Sequence, residues 1–500
     1  MLRKKKTIAL LLICTMIMSV VLVGCGKKGG DAAKDGDAAK NGGELAPVEL
    51  TWYFIGNGQQ EDTALIEDEI NKYIKDKINA TVKLQCFDWG SYDEKIGTMI
   101  ASREEFDICF TSSWANNYRE KAVKGAFVPL NDMFDKYAPK TKELLGKDFL
   151  KGSEIGGVNY AIPTNKEKAH QWGFILREDL VKKYNMDISK IKKFEDIEPF
   201  LKTIKENEPG VYPLEAAGAQ NPRMHLDYDG IDGENLGVLY NDSKDMKISN
   251  QFELPEMKEY LNTIHRFYNA GYIRKDAPTL TDYNADESAG KIFAAIKSLK
   301  PGKDKELTVS TGQPWVQVAI TQPIIGNYDA AGSMEAISTT SKNPERALMF
   351  LELVNTDKYL NNLINYGVEG KHYVKVSDEV IKPGPENSKY NPCIQWALGN
   401  VFLNYLSEVE DKDKWDKFQK FNDAATPTKD LGFMFDPAPV KNEIAACKAS
   451  GQDYILGLET GMLDPKVYLP KLTAAYKDAG IDKVIAEEQK QLDEWLSTQK

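Results

Sequence analysis

The chain is expected to form an α/β fold, and two observations support this. Between residues 48 and 111, β-rich runs alternate with helical periodicity across short links. The length, 500 residues, makes two domains the default. Order begins at Val48. Val48 to Ile55 (VELTWYFI) reads as a strand and the Gly-Asn-Gly that follows as a turn. From Asp62 to Ile78, Leu65, Ile66, Ile70, Tyr73 and Ile74 keep the 3–4 spacing of an amphipathic helix. Ala80 to Phe87 is a second strand, Tyr92 to Ala101 a short helix and Phe106 to Thr111 a third strand. Such alternation builds a parallel sheet. Ligands of such sheets bind outside the carboxyl ends of the strands. Those ends carry Asn57 and Gln59, then Asp88, Trp89 and Tyr92, then Ser113, Trp114 and Asn117.

The N-terminus carries an address. Arg3 to Lys6 are basic, Ile8 to Val23 is apolar, and Leu22-Val23-Gly24-Cys25 follows. A basic n-region, an apolar h-region and small residues make a secretory signal. Gly before Cys resembles a bacterial lipobox, which implies lipidation of Cys25. The alternatives are an ordinary signal peptide or a membrane anchor, but the apolar run is short for a spanning helix. Removing residues 1–24, four of them basic and none acidic, leaves 476 residues and moves the net charge from −11 to −15. That balance argues against nucleic acid as a partner. Residues 25–47 are rich in Gly, Lys, Asp and Ala, the composition of a flexible tether.

Four cysteines remain, Cys86, Cys109, Cys393 and Cys447, without CxxC spacing, so neither a disulfide scaffold nor a zinc module is indicated. Cys86 and Cys109 read as buried hydrophobes. The four His are isolated. Asp227 to Gly233 is acidic, but Ile231 and Val238 stand where an EF-hand needs oxygen ligands. No metal or cofactor is expected. P-loop and GxSxG motifs are absent. A glycosidase's carboxylate pair is a spatial arrangement that spacing does not reveal, so that class stays open.

Further along, Gly157-Val158-Asn159-Tyr160-Ala161-Ile162-Pro163 precedes an apolar strand, Trp172 to Leu176, and Arg177-Glu178-Asp179-Leu180. Later come Asn269-Ala270-Gly271-Tyr272 and a strand–turn–helix segment, Glu335 to Ala347, with Ser341-Lys342-Asn343-Pro344 at its turn. This order resembles family 1 extracellular solute-binding proteins, the receptors of ATP-driven importers. The resemblance implies a type II periplasmic-binding-protein-like fold of two lobes. Each has a parallel-rich sheet with flanking helices, and crossover hinge strands join them. The expected division is 48–165 with 318–365, 166–317 with 366–425, and a C-terminal helical domain over 426–500. That tail resembles a domain of unknown function in one subgroup. Val484, Ile485, Leu492, Trp495 and Leu496 in its last helix read as a packing stripe.

By the same resemblance the chain is a lipid-anchored monomer outside the cell. It would bind a carbohydrate, most simply an oligosaccharide, and deliver it to permease subunits. Sugar rings present C–H faces to aromatics, and each buried hydroxyl needs a partner. Trp89, Trp114, Trp172, Trp315 and Trp396 lie in loop-like surroundings, although a Trp more often fills a core. Trp52 reads as core, and Trp415 and Trp495 as helix packing. Ligand-binding candidates are Asn57, Gln59, Asp88, Trp89, Ser113, Trp114, Asn117, Trp172 and Trp315. Gln220, Asn221, Arg223 and Tyr328 join them from the second lobe and its crossover. The rival classes are an extracellular carbohydrate-active hydrolase and a receptor for a peptide or amino sugar, with Asp88 as the ammonium partner.

Overall fold

The computed structural model describes residues 45–216, 221–226, 228–240, 244–280 and 283–499. Among the described residues there are two large apolar cores, each built on one sheet, and a small third cluster around Ile175, Ile292 and Trp315 on the second sheet. The first sheet runs, in spatial order, Ala80–Asp88, Val48–Gly56, Ile108–Thr111, Met334–Ile337 and Ala161–Pro163. Its first two strands pair in parallel from Val48 with Ala80 to Gly56 with Asp88. Leu50, Trp52 and Phe54 point alternately inward and are buried, the period of two that a pleated strand imposes. Helix Thr63–Ile78 lays Ile66, Ile70 and Ile74 on this sheet. It stops at Asn79, whose left-handed φ of 44° closes the helix through its N–H to Lys75 O.

The second sheet runs Trp315–Ala319, Trp172–Arg177, Ile292–Ser298 and Tyr212–Leu214. Gly173 is required there: a Cβ on it would stand 2.2 Å from Val318 O. Both sheets are more mixed than a run of βα units would give. Met334–Ile337 lies antiparallel to Ile108–Thr111, its first residue opposite the last of that strand. A chain returning across the hinge enters the sheet at the end where the earlier strands finish, so it must run against them.

The crossovers are paired with each other. His170 and Ile324 exchange backbone hydrogen bonds of 2.9 Å, and the His170 Nδ1 lies 2.8 Å from Asp329 Oδ2. Glu167, in the first crossover, forms ion pairs with Lys166 (3.2 Å) and Lys300 of the second lobe (3.3 Å). Burial alone would raise the Glu167 carboxyl, but the two lysines outweigh it and hold it at about 2. A depressed carboxylate contributes stability above its ordinary value of 4.5, lost as pH falls toward 2. By linkage the contribution is about 3 kcal/mol at most. Glu167→Gln should therefore flatten the decline in urea stability between pH 5 and pH 2. An acid limb as steep as in the wild type would show that this pair does not set it.

Two assignments of chain to lobe differ from expectation. Val318 pairs with Phe174 in the second sheet, so the return crossover starts beyond Ala319. Within 366–425, expected with the second lobe, Tyr390, Ile394, Ala397 and Leu398 belong to the first core. The reason is polar stitching to the helix Lys358–Tyr366: the Tyr390 hydroxyl donates to Ile364 O at 2.7 Å, and Asn404 Nδ2 donates to Asn361 Oδ1 at 2.6 Å. The C-terminal helices pack on the second core. Val484 and Leu492 are buried in it, and Ile485, Trp495 and Leu496 lie half-buried against it.

Candidate functional site

Three indoles stand together at the carboxyl ends of the first sheet. Trp89 follows strand Ala80–Asp88, Trp114 follows Ile108–Thr111, and Trp396 arrives from the stretch stitched to the first core. The Trp89 ring lies 6.5 Å from Trp114 and 6.2 Å from Trp396, with interplanar angles of 24° and 21°. Trp114 and Trp396 are 5.9 Å apart. Trp89 is 47% and Trp114 52% exposed. Adjacent, half-exposed indoles are an apolar patch of the kind that marks a binding surface. The N–H groups of Trp89 and Trp114 are fixed. Trp89 Nε1 donates to Asn57 Oδ1 at 2.9 Å, and Trp114 Nε1 donates to Gly332 O at 2.8 Å. Ser333 Oγ donates to Trp396 O at 3.1 Å. Two of the three tryptophans are thus tied to the return crossover, where the lobes meet, Trp114 by its indole and Trp396 by its backbone carbonyl.

Two cavities lie near this group. One of about 750 Å³ is bounded by Ser113, Asn117 to Glu120, Val123 and Lys124 of the first lobe and by Asp229 to Gly233 of the second. Asn327, Tyr328 and Ala331 of the crossover and residues 430–437 complete it. Another, of about 460 Å³, has Trp396, Tyr366 and Tyr405 on one side and Lys300 to Ser310 on the other. Both volumes suit a ligand of several rings.

The sequence candidates divide. Trp89, Trp114, Ser113, Asn117 and Tyr328 come together at the platform and the larger cavity. Tyr328 is 47% exposed, and Asn117 also caps a helix by accepting from Glu120 N at 2.9 Å. Asn57 belongs with them as the holder of Trp89. Gln59 is committed to the edge strand: its Nε2 donates to Leu84 O and its Oε1 accepts from Cys86 N. Asp88 closes its own turn, accepting from Gly90 N and from Ser91 N and Oγ, and these bonds hold its carboxyl below the usual range. Trp172 is half-buried against the second core.

Three candidates are corrected. Trp315 is 1% exposed in a core cluster with Ile175 and Tyr283, its Nε1 donating to Thr311 Oγ1. A turn-rich stretch hid a strand start there. Asn221 and Arg223 turn inward to Glu459: Asn221 Nδ2 donates to one oxygen at 3.1 Å, and Arg223 Nε pairs with the other at 2.8 Å. The C-terminal helices cover the loop they occupy. Gln220 and Cys25 lie outside the described residues.

Trp396 and Arg119 add to the site. Trp396 was one loop Trp among five, and only long-range packing joins it to the others. Arg119 sits in a helix and reaches Met434 O. Of the cysteines, Cys109 and Cys447 are buried, Cys86 half-buried and Cys393 exposed. Burial pushes the Cys86 thiol up to about 11, which suits a hydrophobe rather than a nucleophile. Among the described residues, no group of three or more His, Cys, Asp or Glu is placed to hold a metal ion.

Comparison with known proteins finds relatives over most of the chain. Residues 57–360 match the model of the bacterial extracellular solute-binding protein family, and residues 429–497 match a domain of unknown function (DUF3502). A carbohydrate ABC transporter substrate-binding protein from Streptococcus pneumoniae serotype 4 is 31% identical over 490 residues, 96% of each chain. A crystal structure of an N-glycan transport solute-binding protein from Streptococcus pneumoniae is 30% identical, with a TM-score of 0.83 over 91% of this chain and 100% of that one. The same protein in complex with Man5GlcNAc gives 30% identity and a TM-score of 0.71, with the same coverage.

Proposed function

This chain belongs to the bacterial extracellular solute-binding protein family, and on that premise we propose that it is the receptor of an ABC importer. It takes a carbohydrate, an oligosaccharide of the N-glycan kind, between its lobes and hands it to the permease. The observation that carries this is the Trp89–Trp114–Trp396 platform. Three adjacent indoles, two of them fixed by their N–H groups and Trp89 lying within 24° of parallel to each of the others, offer faces to sugar C–H surfaces, and polar side chains ring the neighbouring cavity. Asp88 is already engaged by its own turn and by the Lys95 ammonium at 3.9 Å, which favours a neutral sugar over a peptide or amino sugar.

Closure requires that the ligand touch both lobes more fully in the closed form. The TM-score of 0.83 against the relative described without a glycan, and 0.71 against its glycan complex, accords with such a hinge. Calorimetric titration of the purified chain with Man5GlcNAc and shorter oligosaccharides tests the reading. Saturable binding without product is expected. Product formation would favour the hydrolase, and absence of binding across the series would defeat the receptor.

The same reading keeps the receptor at the membrane through lipid on Cys25. Among the described residues no helix is long and apolar enough to cross a membrane. Cys25→Ser should move the protein from the membrane fraction to the medium with glycan affinity unchanged. A Ser variant that stays in the membrane fraction would remove the lipid from the account.

A further inference from the structure

The domain over residues 429–497 is one of unknown function, and its first residues are placed unlike its helices. Leu431 is buried in the first core, against Gly152. Phe433 and Phe435 are buried in the second. The backbone therefore passes from one lobe to the other within a few residues. Asn327 of the return crossover grips it midway: Nδ2 donates to Asp430 O at 3.1 Å, and Oδ1 accepts from Gly432 N at 2.7 Å. Arg119 of the first lobe donates to Met434 O at 3.4 Å. At the far end Gln491, on the last helix, accepts from Asp436 N at 2.7 Å and donates to Asp436 O at 3.0 Å. This same stretch, with Arg119 and Tyr328 beside it, forms one side of the 750 Å³ cavity.

The geometry points to a role for the C-terminal domain as the third side of the ligand cleft. Its leading segment, Asp430–Pro437, straps the lobes together and faces the bound sugar. This rests on the receptor reading above. A strap fastened in both cores adds a connection to the two crossovers, so it limits how far the lobes open. Its exposed Asp436, with the Arg119 guanidinium, brings charged hydrogen-bonding groups of the kind that sugar hydroxyls need.

Hydrogen-exchange mass spectrometry of the full chain, with Man5GlcNAc as the probe, tests it. Binding should slow exchange over 430–437 about tenfold, alongside the loops holding Trp89 and Trp114. Asn327→Ala should speed exchange of 430–437 in the unliganded chain and weaken the probe severalfold. Protection confined to the two Trp loops, with 430–437 unchanged, would overturn the proposal and leave the receptor intact. A wild-type chain that binds no glycan defeats the receptor reading instead. The unliganded comparison then decides the strap: faster exchange in Asn327→Ala supports it, and unchanged exchange overturns it.

Discussion

Trp114→Ala is expected to weaken glycan binding by roughly 1–3 kcal/mol, the range for losing one stacked aromatic, or about 5- to 150-fold in Kd. The thermal midpoint should hardly move, because the ring is 52% exposed and its removal opens no core cavity. The loss should concern the face rather than the N–H, whose partner is the chain's own Gly332 O. Trp114→Phe keeps a flat ring without that donor and should recover most of the affinity. The same pair of substitutions at Trp315 should behave oppositely. Trp315→Ala removes a ring that is 1% exposed, at a stability cost of about 3–5 kcal/mol for a buried aromatic. Calorimetry and thermal unfolding on the four variants separate the cases. If Trp114→Ala lowered the midpoint and left affinity unchanged, the indole group would be packing and the site would lie elsewhere.

That contrast shows what sequence alone reveals and what it leaves hidden. Trp89 and Trp114 were readable as strand-end residues because each lies within three residues of the end of a strand of a parallel βα run. In that arrangement the residue after the strand faces the ligand end of the sheet. The first three strands and two helices were readable for the same reason: apolar period sets their faces. Trp315 has no such local rule. It opens a strand that pairs with Arg177 across more than a hundred residues, and the Gly-Gln-Pro before it looks like a loop. Trp396 was hidden in the reverse sense, since nothing near it shows that Ser333 will hold it against Trp89. Asn221 and Arg223 combine both difficulties. The strand end at Leu214 was legible, but whether the next loop meets ligand or protein depends on helices more than two hundred residues later. Pairings of that range are set by tertiary packing, which periodicity and propensity do not encode.

Those helices give the second large effect. Glu459→Ala should destabilise the protein by about 3–5 kcal/mol, the cost of leaving one partner of a buried ion pair without the other. Arg223 and Glu459 side chains are 15% and 7% exposed, so water does little to screen or replace the contact. Glu459 is further enclosed by Asn221 Nδ2 at 3.1 Å, and the Tyr260 hydroxyl lies 2.8 Å from its carbonyl. Arg223 also reaches Gln251 Oε1 and the Tyr228 hydroxyl, both at 3.3 Å. Truncating Glu459 therefore leaves a buried guanidinium with neutral partners and no counter-charge, whereas removing both charges does not. Arg223→Met with Glu459→Leu should recover much of the loss, because hydrophobic replacement of a whole buried pair is often neutral or better. Urea unfolding of the two single variants and the double variant, read as a cycle, measures the coupling. Additive losses, or a Glu459→Ala cost below about 1 kcal/mol, would mean that the pair acts as an exposed one and that apolar packing alone docks the C-terminal helices. A coupling of several kcal/mol would instead make this ion pair the bolt between the C-terminal helices and the second lobe. Glycan affinity would then fall in Glu459→Ala as well, since the strap at Asp430–Pro437 is positioned from that same docked domain.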